Sequence, residues 1–106
     1  MSEPAEPAPP APAAPIEPVW HVQATYAPDA AETRVPFRAE HIARMQALKA
    51  AGVVTEVGAF LDVSATVAIV RAASEAEAIE LLRQDVYMRN GVWVEVRARP
   101  FGRVRD

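Results

Sequence analysis

The sequence predicts an α+β fold in which two helices cover one face of a four-stranded antiparallel sheet. Three observations carry that expectation. Apolar and polar residues alternate near both ends of the chain, over Val19 to Tyr26 and Val92 to Arg99. Between about Pro36 and Ala51, and again after Ser74, the apolar period changes to the three or four residues of a helix. The short connection between the two β-rich runs that separate those helices, Val53 to Phe60 and Ser64 to Arg71, predicts an antiparallel hairpin, although it lacks an Asn-Gly or Asp-Gly turn pair. The order β-α-β-β-α-β is the split βαβ arrangement of a ferredoxin-like sandwich.

Each element has its own justification. Trp20, Val22, Ala24 and Tyr26 share one face of the first strand, and His21, Gln23 and Thr25 the other. Ala27 to Thr33 reads as a loop opened by Pro28-Asp29. In the first helix Ile42, Met45 and Leu48 form the apolar stripe, Pro36 suits the first turn and Gly52 the C-terminal cap. Ser74-Glu-Ala-Glu77 matches a capping box, and Ile79, Leu81 and Leu82 supply the buried face of a second helix ending near Gln84. In the last strand Val92, Val94, Val96 and Ala98 alternate with Trp93, Glu95, Arg97 and Arg99, until Pro100 ends it.

Composition divides the chain into a tail and one domain. Residues 1–18 hold seven of its ten prolines and, after Met1, one bulky apolar residue, Ile16. Too little apolar surface is present there to repay the entropy of ordering, so 1–18 reads as a disordered Pro/Ala-rich tail and 19–106 as the folded domain. Glu3, Glu6 and Glu17 account for the whole net charge of −3. The domain is therefore neutral, which argues against nucleic acid or an anionic membrane as partner. Arg97, Arg99, Arg103 and Arg105 form its one basic cluster and read as a solvated strand end. The absence of cysteine excludes disulfides and fits a cytoplasmic protein. No apolar run approaches the about 20 residues that span a bilayer. No phosphate loop or metal-ligand cluster is recognisable, so no cofactor and no metal is expected.

Chemistry rests on few residues. Histidine is the natural proton shuttle near neutral pH, and it works best when a carboxylate fixes its tautomer. His41 borders the apolar stripe near the start of the first helix, and Asp85 follows the end of the second. Helices antiparallel on one face of a sheet bring such ends together, so the topology permits a His41–Asp85 dyad. Tyr26, at the end of the first strand, and Tyr87 can orient a substrate oxygen in the same corner. His21 has no evident carboxylate partner and reads as structural or cavity-lining. The sheet face away from the helices mixes Trp93 with Gln23, Thr25 and Arg97. Such a face pairs readily with a second copy, which predicts a homodimer.

Tyr26-Ala27-x-Asp29, Arg38-x-x-His41, the helix ending in Gly52, Val57-Gly58, Asp85-x-Tyr87, Gly91 and Pro100-Phe101-x-x-Val104 together resemble the YCII-related (YciI-like) family. The resemblance runs from Val19 to Val104. It implies a dimeric α/β barrel, with His41 and Asp85 as an acid–base pair and lyase-like, dehydrochlorinase-type chemistry. Two departures stand out. Val86 occupies a place where the family usually has proline, and the hairpin connection is cut to Asp62-Val63-Ser64.

Together these residues point to a small cofactor-independent enzyme acting on an enolisable or phenolic molecule by elimination or isomerisation. In that reading His41 moves the proton, Asp85 orients it, and Arg38 with Tyr26 or Tyr87 positions an anionic or oxygenated group. The alternative is a non-catalytic small-molecule-binding or accessory module with the same dimeric cavity. A third is a structural interaction domain tethered by its tail.

Overall fold

A computed structural model describes residues 15–106. Its elements are β1 (Ile16–Tyr26), α1 (Ala30–Thr33), a 3-10 turn (Val35–Phe37), α2 (Arg38–Ala50), β2 (Val54–Ala59), β3 (Ala65–Val70), α3 (Glu75–Arg83), α4 (Val86–Arg89) and β4 (Trp93–Val104). The strands form one antiparallel sheet in the order β2-β3-β1-β4, which is the ferredoxin-like arrangement. No helix among the described residues is long and apolar enough to cross a membrane.

The core lies between the sheet and its helices. Val22 and Ala24 of β1, Ala68 and Val70 of β3, and Ala78 and Leu82 of α3 are completely buried there. Burying a leucine of that kind contributes roughly 1.5–3 kcal/mol. Ser74 caps α3 by accepting a hydrogen bond from the Glu77 amide at 3.2 Å, as the capping box requires. Glu77 reaches back to the amide of Ala73 rather than that of Ser74, at 3.0 Å. Gly52 follows α2 with φ +77°, a conformation costly for any residue with a side chain.

Several expectations are corrected. β1 begins at Ile16, so the last three residues assigned to the tail are strand; residues 1–14 of that tail lie outside the described residues. The physical reason is Glu17, which accepts hydrogen bonds from Arg71 at 2.6 Å and Arg103 at 3.0 Å and so ties three strands together. Pro18 is tolerated because β1 pairs with β3 only from Trp20 onward, leaving that side of Pro18 without a ladder partner. Likewise Pro100 does not end β4, which runs on to Val104. β4 is an edge strand, so a residue without an N–H costs it no ladder bond on the outer side. The expected loop at 27–33 contains the short helix α1.

On α2 the buried residues are His41 and Met45, while Ile42 is 41% exposed. The stripe is thus rotated by one residue, toward the polar partners that hold His41. On α3 the buried pair is Ala78 and Leu82, with Ile79 and Leu81 half-buried.

The most consequential correction concerns Trp93. Thr25 pairs with Glu95 but Tyr26 pairs with Trp93, so Val94 is the extra residue of a bulge. Val94 is pushed outward, and Trp93 turns to the helical side, where it is 1% exposed. It does not lie on the open face of the sheet.

Candidate active site

The corner where α2, the α3–α4 junction, β1 and the start of β4 meet holds a buried polar cluster. His41 lies in the second half-turn of α2, and its Nδ1 is 2.8 Å from Oδ2 of Asp85. Asp85 is wholly buried and is the N-cap of α4, accepting from the Tyr87 amide at 3.0 Å. Its other oxygen accepts from Nη1 of Arg44 at 3.1 Å, and Nη2 of Arg44 donates to the Leu81 carbonyl at 2.6 Å. The guanidinium thereby clamps the carboxylate to the end of α3.

Burial, the largest single influence on Asp85, pushes its pKa up. The hydrogen bond from His41, the Tyr87 amide, the charge of His41 and the Arg44 hydrogen bond together outweigh it. The carboxyl is held below its ordinary value, so Asp85 is ionised and can only accept. It follows that Nδ1 of His41 carries a hydrogen and donates it to Asp85, which leaves Nε2 with the lone pair when the ring is neutral. Nε2 makes no hydrogen bond among the described residues, and His41 lines a cleft of about 310 Å³.

Two aromatic rings hold the imidazole, and a third backs them. Tyr87 stacks on it with centroids 4.0 Å apart and planes 11° from parallel. Trp93 meets it edge-on at 5.3 Å, and Tyr26 packs against both Tyr87 and Trp93. Such contacts contribute about 0.5–1.5 kcal/mol each and prevent the ring from turning away from Asp85. The Tyr87 phenol is pushed above its ordinary value, first by burial and then by the neighbouring Tyr26. It stays protonated near neutral pH and can donate but not act as a base. Thr66 Oγ1 donates to the Tyr26 hydroxyl at 3.0 Å, which leaves the tyrosine's own hydrogen for the cleft.

The rest of the cleft is cationic or neutral. Arg34, Arg38 and Lys49 line it, and no aspartate or glutamate among the described residues does. Arg34 lies over the Tyr26 ring at 5.9 Å and Lys49 pairs with Glu56 at 3.2 Å. The Arg38 side chain makes no hydrogen bond or ion pair among the described residues. The opposite wall is Val57, Gly58 and Ala59 of β2, and the short loop from Phe60 to Ser64 contributes nothing to the lining.

All five residues singled out in the sequence therefore line this corner: His41, Arg38, Tyr26 and Tyr87 face the cleft and Asp85 lies behind His41. Val86, in place of proline, does not unseat the aspartate. It is the first residue of α4, where proline is common, and its side chain is buried instead. Sequence reasoning missed Arg44, Trp93, Thr66, Arg34 and Lys49. Arg44 carried a signal, since it stands three residues after His41 on the same helical face. Trp93 carried none, because a bulge breaks the alternation that assigned it to the other face. Thr66 sits beside Tyr26 only through strand pairing.

Comparison with known proteins agrees with this fold. The chain matches the structure of a 5-chloro-2-hydroxyhydroquinone dehydrochlorinase from Burkholderia phenoliruptrix AC1100, solved in complex with 2,5-dihydroxybenzoquinone, with TM-score 0.67. The two sequences are 18% identical over 78% of this chain and 92% of the other. No curated protein sequence matches the chain. The model of the YCII-related domain matches residues 19–102, nearly the whole described domain. The chain belongs to the YCII-related family.

Proposed function

We propose that the chain is a small enzyme that moves a proton on an enolisable or phenolic small molecule, using His41 as base and Asp85 as the group that orients it. The observation that carries this reading is the 2.8 Å contact between a buried, ionised Asp85 and Nδ1 of a histidine whose Nε2 is left for the cleft. Nε2 takes the proton from a C–H or O–H bond, and the bonding pair moves into the substrate. In an elimination an anionic group leaves with its electron pair; in an isomerisation the proton returns to a different carbon. Neither step needs an electron acceptor, so the residues suffice without a cofactor.

The charge of the cleft supports an oxygenated, electron-rich substrate. Removing a proton creates negative charge, and Arg38 stands where it can be stabilised, with the Tyr26 and Tyr87 hydroxyls as donors. The 2,5-dihydroxybenzoquinone held by the structural neighbour is of that chemical class. The open sheet face supports assembly as a homodimer, and sedimentation equilibrium giving the mass of one chain at micromolar concentration would refute it. The lack of cysteine fits a cytoplasmic setting.

Turnover tests the reading. Chlorinated and hydroxylated aromatics and small keto acids are screened for chloride release or enolisation, and the active compound is given to variants. His41→Gln and Asp85→Asn are each expected to lower kcat by about 10²–10⁴-fold, the usual worth of a positioned acid–base group. Ligand binding by the wild type with no turnover of any compound identifies a binding module instead.

A further inference from the structure

We infer that the open face of the sheet carries a second site, a receptor for a phosphoryl group built by Arg97, Arg99, His21 and Gln23. These four residues line a cleft of about 230 Å³. The first helical cleft plays no part in it: β1 alternates, so His21 and Gln23 point to the face opposite Val22, Ala24 and Tyr26. Register places the four together, with His21 directly across from Arg99 and Gln23 directly across from Arg97. Cross-strand partners have Cβ atoms about 4.5–5.5 Å apart, and the two arginines, two residues apart on β4, share one face. The side chains form a square of donors around one space.

None of the four side chains makes a hydrogen bond or ion pair among the described residues; the His21 ring has only a tilted contact with Phe101 at 6.0 Å. The acids on the same face are engaged elsewhere. Glu17 is held by Arg71 and Arg103, and Glu95 lies against the Thr25 hydroxyl. Two guanidiniums side by side without a counter-charge repel each other, and an anion between them removes that repulsion.

The donor set selects the anion. Each guanidinium offers a planar fork that fits two oxygens, and the imidazole and the amide add further donors. A carboxylate has two oxygens, too few for two forks and both neighbours. A phosphoryl group presents three, each able to accept more than once. The Phe101 ring beside His21 gives an apolar border for the organic part of a phosphate ester. Nucleic acid fits poorly, since the described domain is near neutral and the face lacks a row of aromatic platforms. Pairing of two sheets through this face would bring four arginines together, so an anion in each cleft favours that pairing.

NMR titration of the 15N-labelled full chain with inorganic phosphate at low ionic strength tests the proposal, with phenyl phosphate and acetate as parallel probes. Expected are saturable shifts at the side-chain Nε–H of Arg97 and Arg99 and at the His21 ring. Arg97→Gln and Arg99→Gln, both exposed positions, each weaken binding about tenfold. Arg38→Gln, on the other face, leaves those shifts as they were. Tighter binding of phenyl phosphate than of inorganic phosphate identifies an ester as the ligand, and equal binding identifies the phosphoryl group alone. Three results overturn the assignment: shifts confined to the His41 cleft, acetate binding as tightly as phosphate, or an Arg99→Gln variant that alters sedimentation while phosphate produces no saturable shift in the wild type.

Discussion

Asp85 shows how one side chain serves both the fold and the proposed chemistry. The carboxylate caps α4, receives Arg44 and holds His41, so its three partners come from two helices, α2 and α4. Removing charge from a buried group with that many donors is costly on any reading, about 3–5 kcal/mol for breaking a buried pair. Trp93 presents the opposite case. Its indole Nε1 is buried and has no hydrogen-bond partner among the described residues, a penalty of about 1–3 kcal/mol. Trp93→Phe removes that orphan donor while losing ring volume, so the two effects offset. Its folding free energy should stay within about 1 kcal/mol of wild type in urea denaturation. Trp93→Ala, which removes the whole side wall of His41, should lose about 3–5 kcal/mol.

At the scale of elements, the alternating and helical periods were legible because burial enforces them. β1, α2, the hairpin strands, α3 and the body of β4 all stand where periodicity placed them, within a few residues. The misplaced parts are those in which one contact outweighs pattern. Glu17 draws the tail's last residues into β1, and Gly102 allows it: a Cβ there would stand 2.9 Å from Ile16 Cγ2. The bulge at Val94 cannot be read from a strand's own alternation, and it decided the position of Trp93. His41 replaced Ile42 on the buried side of α2 because Asp85 and Tyr87 hold it there, a long-range cause absent from the local period. The two ends that form the site were nonetheless legible as a juxtaposition, since two antiparallel helices on one sheet face leave few places for their termini. The hairpin tip shows a local cost of its shortness. Val63 takes φ 58°, a strained conformation for a β-branched residue, and the Asp62 side chain steadies the turn by accepting from the Ser64 amide at 3.0 Å.

For the molecule as a whole, carboxylates held below their ordinary values govern the response to acid. Asp85 is lowered despite its burial, and Glu17 is lowered first by its hydrogen bond to Arg71. Groups of this kind bind protons more weakly folded than unfolded. Their stabilisation is complete above the unfolded-state value, about pH 4, and is lost as pH falls through the lower folded-state values. Urea denaturation at stepped pH should show stability falling below about pH 4. Asp85→Asn should be less stable at neutral pH and show a shallower fall. An equally steep fall in that variant would assign the acid response to the surface network around Glu17.

The proposed chemistry depends on Asp85 fixing His41 with its Nε2 lone pair toward the cleft. The 15N chemical shifts of the His41 ring, followed across pH, report which ring nitrogen carries the hydrogen. For the neutral ring, a hydrogen on Nδ1 and none on Nε2 is expected, with that preference lost in Asp85→Asn. A ring carrying its hydrogen on Nε2 in the wild type would contradict it.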